Sequence, residues 1–63
     1  MTFKIEHISR LGRKVGEQRA KHWFEADNCA HNVIKDCRHN PACQIRDIHI
    51  INEITGTIIR RTV

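Results

Sequence analysis

From Gln44 to Thr62 the chain is rich in β-branched residues on both sides of one glycine, Gly56, as expected of two strands joined by a turn. Glu53-Ile54-Thr55-Gly56 fits a type I turn followed by a residue in the left-handed region, a G1 bulge that glycine occupies without steric penalty. This turn predicts Ile51 opposite Ile59, Asn52 opposite Ile58 and Ile50 opposite Arg60. Both faces of the hairpin then carry isoleucine: Ile48, Ile50 and Ile58 on one, and Ile45, Ile51, Ile59 and Val63 on the other.

Upstream the period changes. Ala30, Val33, Ile34 and Cys37 recur at the i, i+3, i+4, i+7 spacing of one apolar helix stripe. The spacing predicts a helix that starts after Asp27 as N-cap, runs to about Arg38 and is ended by Asn40-Pro41. At the N-terminus, Phe3, Ile5 and His7 alternate with Lys4, Glu6 and Ile8, the pattern of a half-buried strand from Thr2 to Ile8. The two glycines and three basic residues of Ser9 to Gly16 suit a mobile turn or long hairpin loop. Glu17 to Phe24 reads as a second strand, with a helix competing because Glu17, Gln18, Arg19, Ala20 and Lys21 are good helix formers.

The expected fold is α+β, a single domain over residues 1–63. One helix packs on one face of a three- or four-stranded antiparallel sheet, in the order β-(β)-α-β-β. A single helix covers one sheet face. The other face, with Ile45, Ile51, Ile59 and Val63, is therefore expected to meet a protein partner or a second copy of the chain. A chain of 63 residues buries only about 60% of its unfolded surface, so a metal, a disulfide or self-association would each add stability.

Charge adds a second candidate partner. Eleven Lys and Arg against seven Asp and Glu give a net charge of +4, which favours anions. Arg10, Arg13, Lys14, Arg19 and Lys21 cluster ahead of Trp23, an arrangement that offers phosphate contacts and a stacking ring to nucleic acid. The plainer alternative is a solvated loop with Trp23 buried against the helix.

Cys29, His31, Cys37, His39 and Cys43 bring metal-binding residue types together, but the spacing limits them. Cys29 and Cys37 on one helix stand about 12 Å apart along its axis, too far to share one zinc. The set that survives is Cys37-x-His39-x3-Cys43, with no CxxC to support it. The expectation is no cofactor, with structural zinc as the alternative. Cys43 with His39 is the local nucleophile and base pair, but no oxyanion hole or P-loop accompanies it and the carboxylates are scattered, so no enzyme is expected.

Three cysteines cannot all pair within one chain, and Met1 to Arg10 lacks the apolar run of a secretion signal. Apolar stretches are as short as Val33-Ile34 and Ile50-Ile51, so no membrane span is expected. A reducing, cytoplasmic setting with free or metal-bound thiols follows. In size, charge and the plan of strand, loop, helix and C-terminal hairpin, the chain looks like the small accessory proteins of phages and prophages that bind a host machine. That likeness implies a small regulatory interaction protein and transfers no functional residue.

Overall fold

The structure, a computed structural model, describes residues 2–63 as four strands and one helix. The elements are β1 (Phe3–Ser9), β2 (Lys14–Ala20), α1 (Trp23–Arg38), β3 (Ile45–Asn52) and β4 (Ile58–Thr62). All neighbours are antiparallel and the sheet order is β2-β1-β3-β4, so the expected α+β class holds with the second strand present. Among the described residues no helix is long and apolar enough to cross a membrane.

The core lies between α1 and one sheet face. Ile5 of β1 pairs with Ile50 of β3, and with Ile48 they are the largest fully buried side chains. Ala26 and Ala30 are fully buried against this layer, and Ile34 extends the stripe one turn further. The short alanine side chains let the helix backbone lie close to the three isoleucines. Phe3 and Trp23 close one end, with ring centroids 5.9 Å apart at an interplanar angle of 60°, an edge-to-face contact favoured by the ring quadrupoles.

The helix starts earlier than its composition suggested. Its first residue is Trp23, and the N-cap, His22, makes no side-chain capping bond. Asp27 is therefore inside α1 and pairs with Arg61 of β4 instead of capping. Trp23 and Phe24 belong to the helix and not to β2, because Trp23 continues the Ala26–Ala30–Ile34 stripe and reaches Phe3. β2 begins at Lys14, directly after a tight turn. Ser9 Oγ accepts from the Leu11 and Arg13 N–H groups at 3.3 and 3.2 Å, and Gly12 holds φ +80°.

The C-terminal hairpin has a register one residue away from the expected one. Ile50 faces Ile59, Ile51 faces Ile58 and His49 faces Arg60. The cause is Asn52. Its Oδ1 accepts from Ile54 N–H and Thr55 N–H at 3.0 and 3.2 Å, and its carbonyl accepts from Gly56 N–H at 2.7 Å. Asn52 thus organises a four-residue loop, 53–56, closed by its own N–H on the Thr57 carbonyl at 2.8 Å. A shift of one residue moves every side chain to the opposite face. Ile59 and Val63 therefore lie on the helix side, while Ile51 and Ile58 lie on the open side. The expected apolar face of Ile45, Ile51, Ile59 and Val63 does not form.

Gly56 holds φ +78° with open space where a Cβ would stand, so its cost to other residues is purely conformational. Gly56→Val is expected to lower stability by about 1–2 kcal/mol, whereas Gly56→Asn costs a fraction of that because asparagine visits this region. Urea unfolding of the two variants checks this, and equal losses would contradict it.

Cys37 and Cys43 form a disulfide with a Cα–Cα distance of 5.3 Å, within the range a disulfide spans. This corrects the expectation of free or metal-bound thiols for these two. The bridge ties the end of α1 to the segment that leads into β3, and Cys29 alone is free. Reduction is expected to lower stability by roughly 2 kcal/mol, the chain-entropy value for so short a loop. Melting with and without reductant measures it, and an unchanged midpoint would refute it.

Candidate functional site

The open sheet face carries ion pairs over β1 and β2 and the isoleucines Ile51 and Ile58 over β3 and β4. Glu6 and Glu17 stand directly opposite in the β1–β2 register, an unfavourable pairing on its own. Lys14 Nζ relieves it, lying 3.4 Å from Glu6 and bonding Glu17, while Lys4 lies 3.6 Å from Glu6. Arg19 pairs with Glu17 at 3.6 Å and makes a two-pronged contact to Glu53 at 3.0 and 3.1 Å. Lys4, Lys14 and Arg19 are thus matched one for one by Glu6, Glu17 and Glu53.

The hydrogen bond from Lys14 holds the Glu17 carboxyl below its ordinary value of 4.5 and raises Lys14 above 10.5. The signs differ. Glu17 contributes stability above its unfolded-state pKa and loses it as pH falls through the lowered folded value. Lys14 contributes below its unfolded-state pKa and loses it as pH rises through the raised one. Both groups are exposed, so solvent screens the pair and the stability effect is small. By NMR, Glu17 is expected to titrate below the same residue in the urea-unfolded chain, and Lys14→Met shrinks the difference, leaving the smaller pull of Lys4 and Arg19. A midpoint unchanged by that substitution would refute it.

Since these groups cancel, the net +4 resides elsewhere. Lys35, Arg38 and Arg61 gather on the other side of the molecule, while Arg13 and Lys21 stand apart at the β1–β2 turn and before α1, and Arg60 stays on the open side opposite His49. β4 extends the sheet past the helix, and a groove of about 550 Å³ opens between them. His31, Lys35, Arg38 and His39 line it from α1, with Arg61 and Thr62 from β4. On the helix, Asp27, His31, Lys35 and Arg38 fall on one flank because they are spaced by four, four and three. Asp27 is the acid at this flank. It is ion-paired to Arg61, and its Oδ1 is buried without a well-aligned hydrogen bond. Past Thr62 the surface continues over Val63 to Arg10 and Arg46. Val63 N–H donates to the Arg46 carbonyl at 2.9 Å and Arg10 N–H to the Gln44 carbonyl at 3.0 Å, fixing the backbone there.

Toward the start of α1 the same side of the sheet turns apolar. A pocket of about 360 Å³ is lined by Phe3, Trp23, Ile50 and Ile59, with Asn52, Thr55 and Thr57 around it. Trp23 is half-buried, and Ile59 is 38% exposed because the helix does not reach over β4.

The residues expected to bind nucleic acid are therefore dispersed. Lys14 and Arg19 are engaged on the open face, Arg13 is exposed in the β1–β2 turn and Lys21 is exposed between β2 and α1. Arg10 joins the Arg46 end of the groove, and Trp23 lines the apolar pocket. His31, Lys35, Arg38 and Arg46 were missed. The helix spacing was visible in the sequence, but nothing local placed β4 beside it.

Among the described residues no three His, Cys, Asp or Glu side chains gather as a metal site. The Cys37–His39–Cys43 set is changed further by the disulfide, which leaves neither sulfur as a thiolate ligand. In this state Cys43 also has no thiol for His39 to deprotonate.

No family model, curated protein or solved structure matches the chain, and its function is read from the geometry alone.

Proposed function

We propose that the chain is a small non-enzymatic interaction protein that holds an anionic partner in the groove between α1 and β4. The observation that carries this reading is the partition of charge. On the open sheet face Lys4, Lys14 and Arg19 are paired with glutamates, while Lys35 and Arg38 converge with His31 and His39 on one groove whose lining carries no acid among the described residues. Cations gathered in a concave surface raise the local concentration of anions and speed their capture. A regulatory role of the kind expected for a phage accessory protein would act through such capture, without a metal or cofactor.

The test is retention on immobilised heparin at low salt. Lys35→Gln with Arg38→Gln is expected to elute at clearly lower salt, and Lys4→Gln with Arg19→Gln near the parent position. No retention of the parent protein would overturn the proposal.

A second reading rests on β4. It is an edge strand, with Ile58 and Ile59 51% and 38% exposed on opposite faces, and free edges accept an added strand. Self-pairing centred on this strand sets Arg60 against Arg60, a like-charge contact that disfavours a dimer. A partner strand with acidic residues fits better, and protection of β4 amides on binding would distinguish this reading.

The cytoplasm is the compartment we propose. There the thiol pool can reduce Cys37–Cys43, and the groove residues Arg38 and His39 both lie within the loop that this bond closes.

A further inference from the structure

Resting on the anionic-partner reading, we propose that the partner is single-stranded nucleic acid, with one base in the Trp23–Ile59 pocket and phosphates along Lys35 and Arg38. Two dissimilar surfaces follow one another along the α1–β4 groove. At the start of α1 the pocket is apolar and aromatic; after the Asp27–Arg61 pair the groove is cationic. From Trp23 to Arg38 the helix rises about 22 Å at ~1.5 Å per residue, room for a few extended nucleotides.

Unpaired nucleotides carry the matching pair of chemistries, a planar π face and a charged backbone, in the same alternation. A duplex keeps its base faces stacked inside and has nothing to place in the pocket. An acidic peptide satisfies the cations but supplies no flat ring beside them. The rim of the pocket is suited to a base edge. Asn52 uses its Oδ1 on the Ile54 and Thr55 amides, so its amide NH2 is the end available to a base acceptor. Thr57 and Thr55 bring hydroxyl groups, 3.0 Å apart, to the same rim.

Trp23 is the chain's one tryptophan, so intrinsic fluorescence reports on the pocket directly. The experiment titrates the intact protein with four probes: a single-stranded oligonucleotide of roughly ten residues, the abasic strand of the same length, the matching duplex, and polyglutamate. The expected result is quenching of Trp23 by the single strand, with affinity roughly five- to a hundredfold above the abasic strand, the worth of one stacked base. Equal binding of abasic and normal strands without quenching would overturn the base pocket and leave the anionic groove standing. Duplex binding as tight as the single strand would overturn it as well. Polyglutamate bound in preference to every nucleic acid would replace the partner by an acidic protein segment. Failure to bind any of the four, with no retention on heparin, would overturn the inference together with the reading beneath it. Because the variation is in the ligand, folding of the protein is not at issue.

Discussion

Ile48→Ala is expected to lower the stability of the protein by about 2–5 kcal/mol, the cost of truncating a fully buried isoleucine. Ile48 has no exposed surface, and it lies on β3 between His7 of β1 and Arg61 of β4. Ala26 and Ala30 of the helix are too short to swing into the cavity left behind. Nor can the sheet collapse, since β3 is bonded on both sides. A domain of this length has a total stability of only about 3–9 kcal/mol, so the substitution removes a large share of it. In urea the midpoint should fall sharply, or the cooperative transition should vanish. Ile58→Ala, which truncates an isoleucine 51% exposed on the open face, should cost less than about 1 kcal/mol. Equal losses would mean that the core lies elsewhere.

The contrast between these two isoleucines shows what the sequence carried. That residues 44–62 form a hairpin was legible from their β-branched content and Gly56, and the left-handed conformation of that glycine was legible too. The register was not. It depended on Asn52 turning its side chain onto the loop amides while its backbone N–H stays bonded to the Thr57 carbonyl, and one residue of difference exchanged the two faces. The helix was legible from its Ala30–Cys37 stripe, but its first turn was not. Asp27 has the chemistry of a cap, and only the contact between Trp23 and Phe3, twenty residues apart in sequence, favours starting the helix earlier. Local propensity yields to such a tertiary contact.

Charge followed the same logic. The net charge of +4 was a property of composition, but its location was a property of pairing across strands. Lys14 and Arg19 looked like free cations because their neutralising partners, Glu6 and Glu53, are distant in sequence. Lys35 and Arg38 looked like an ordinary solvated helix flank until β4 was placed beside them.

From that placement follows a large expected effect on binding: Lys35→Glu with Arg38→Glu weakens association with a single-stranded oligonucleotide by about a hundredfold or more at low salt. Each reversal removes one attraction and adds one repulsion, and each of these is worth about 1 kcal/mol at ~4 Å in water. The salt dependence gives an independent check. Neutralising about two phosphates of a single strand gives a slope near −1.4 in log K against log salt. Raising salt from about 50 to 200 mM should then weaken the parent complex by roughly sevenfold. With two cations reversed the slope should flatten by one unit or more. Glutamate in the last helical turn opposes the helix dipole at about 0.3–1 kcal/mol each, so circular dichroism must first show the variant folded; Lys35→Gln with Arg38→Gln gives a milder version of the same loss. The control is Lys4→Gln with Arg19→Gln, which removes cations that already have partners on the opposite face and should change affinity by no more than about twofold at ordinary ionic strength. If that control weakens binding as much as the groove variant does, total charge governs association and the groove has no special part in it.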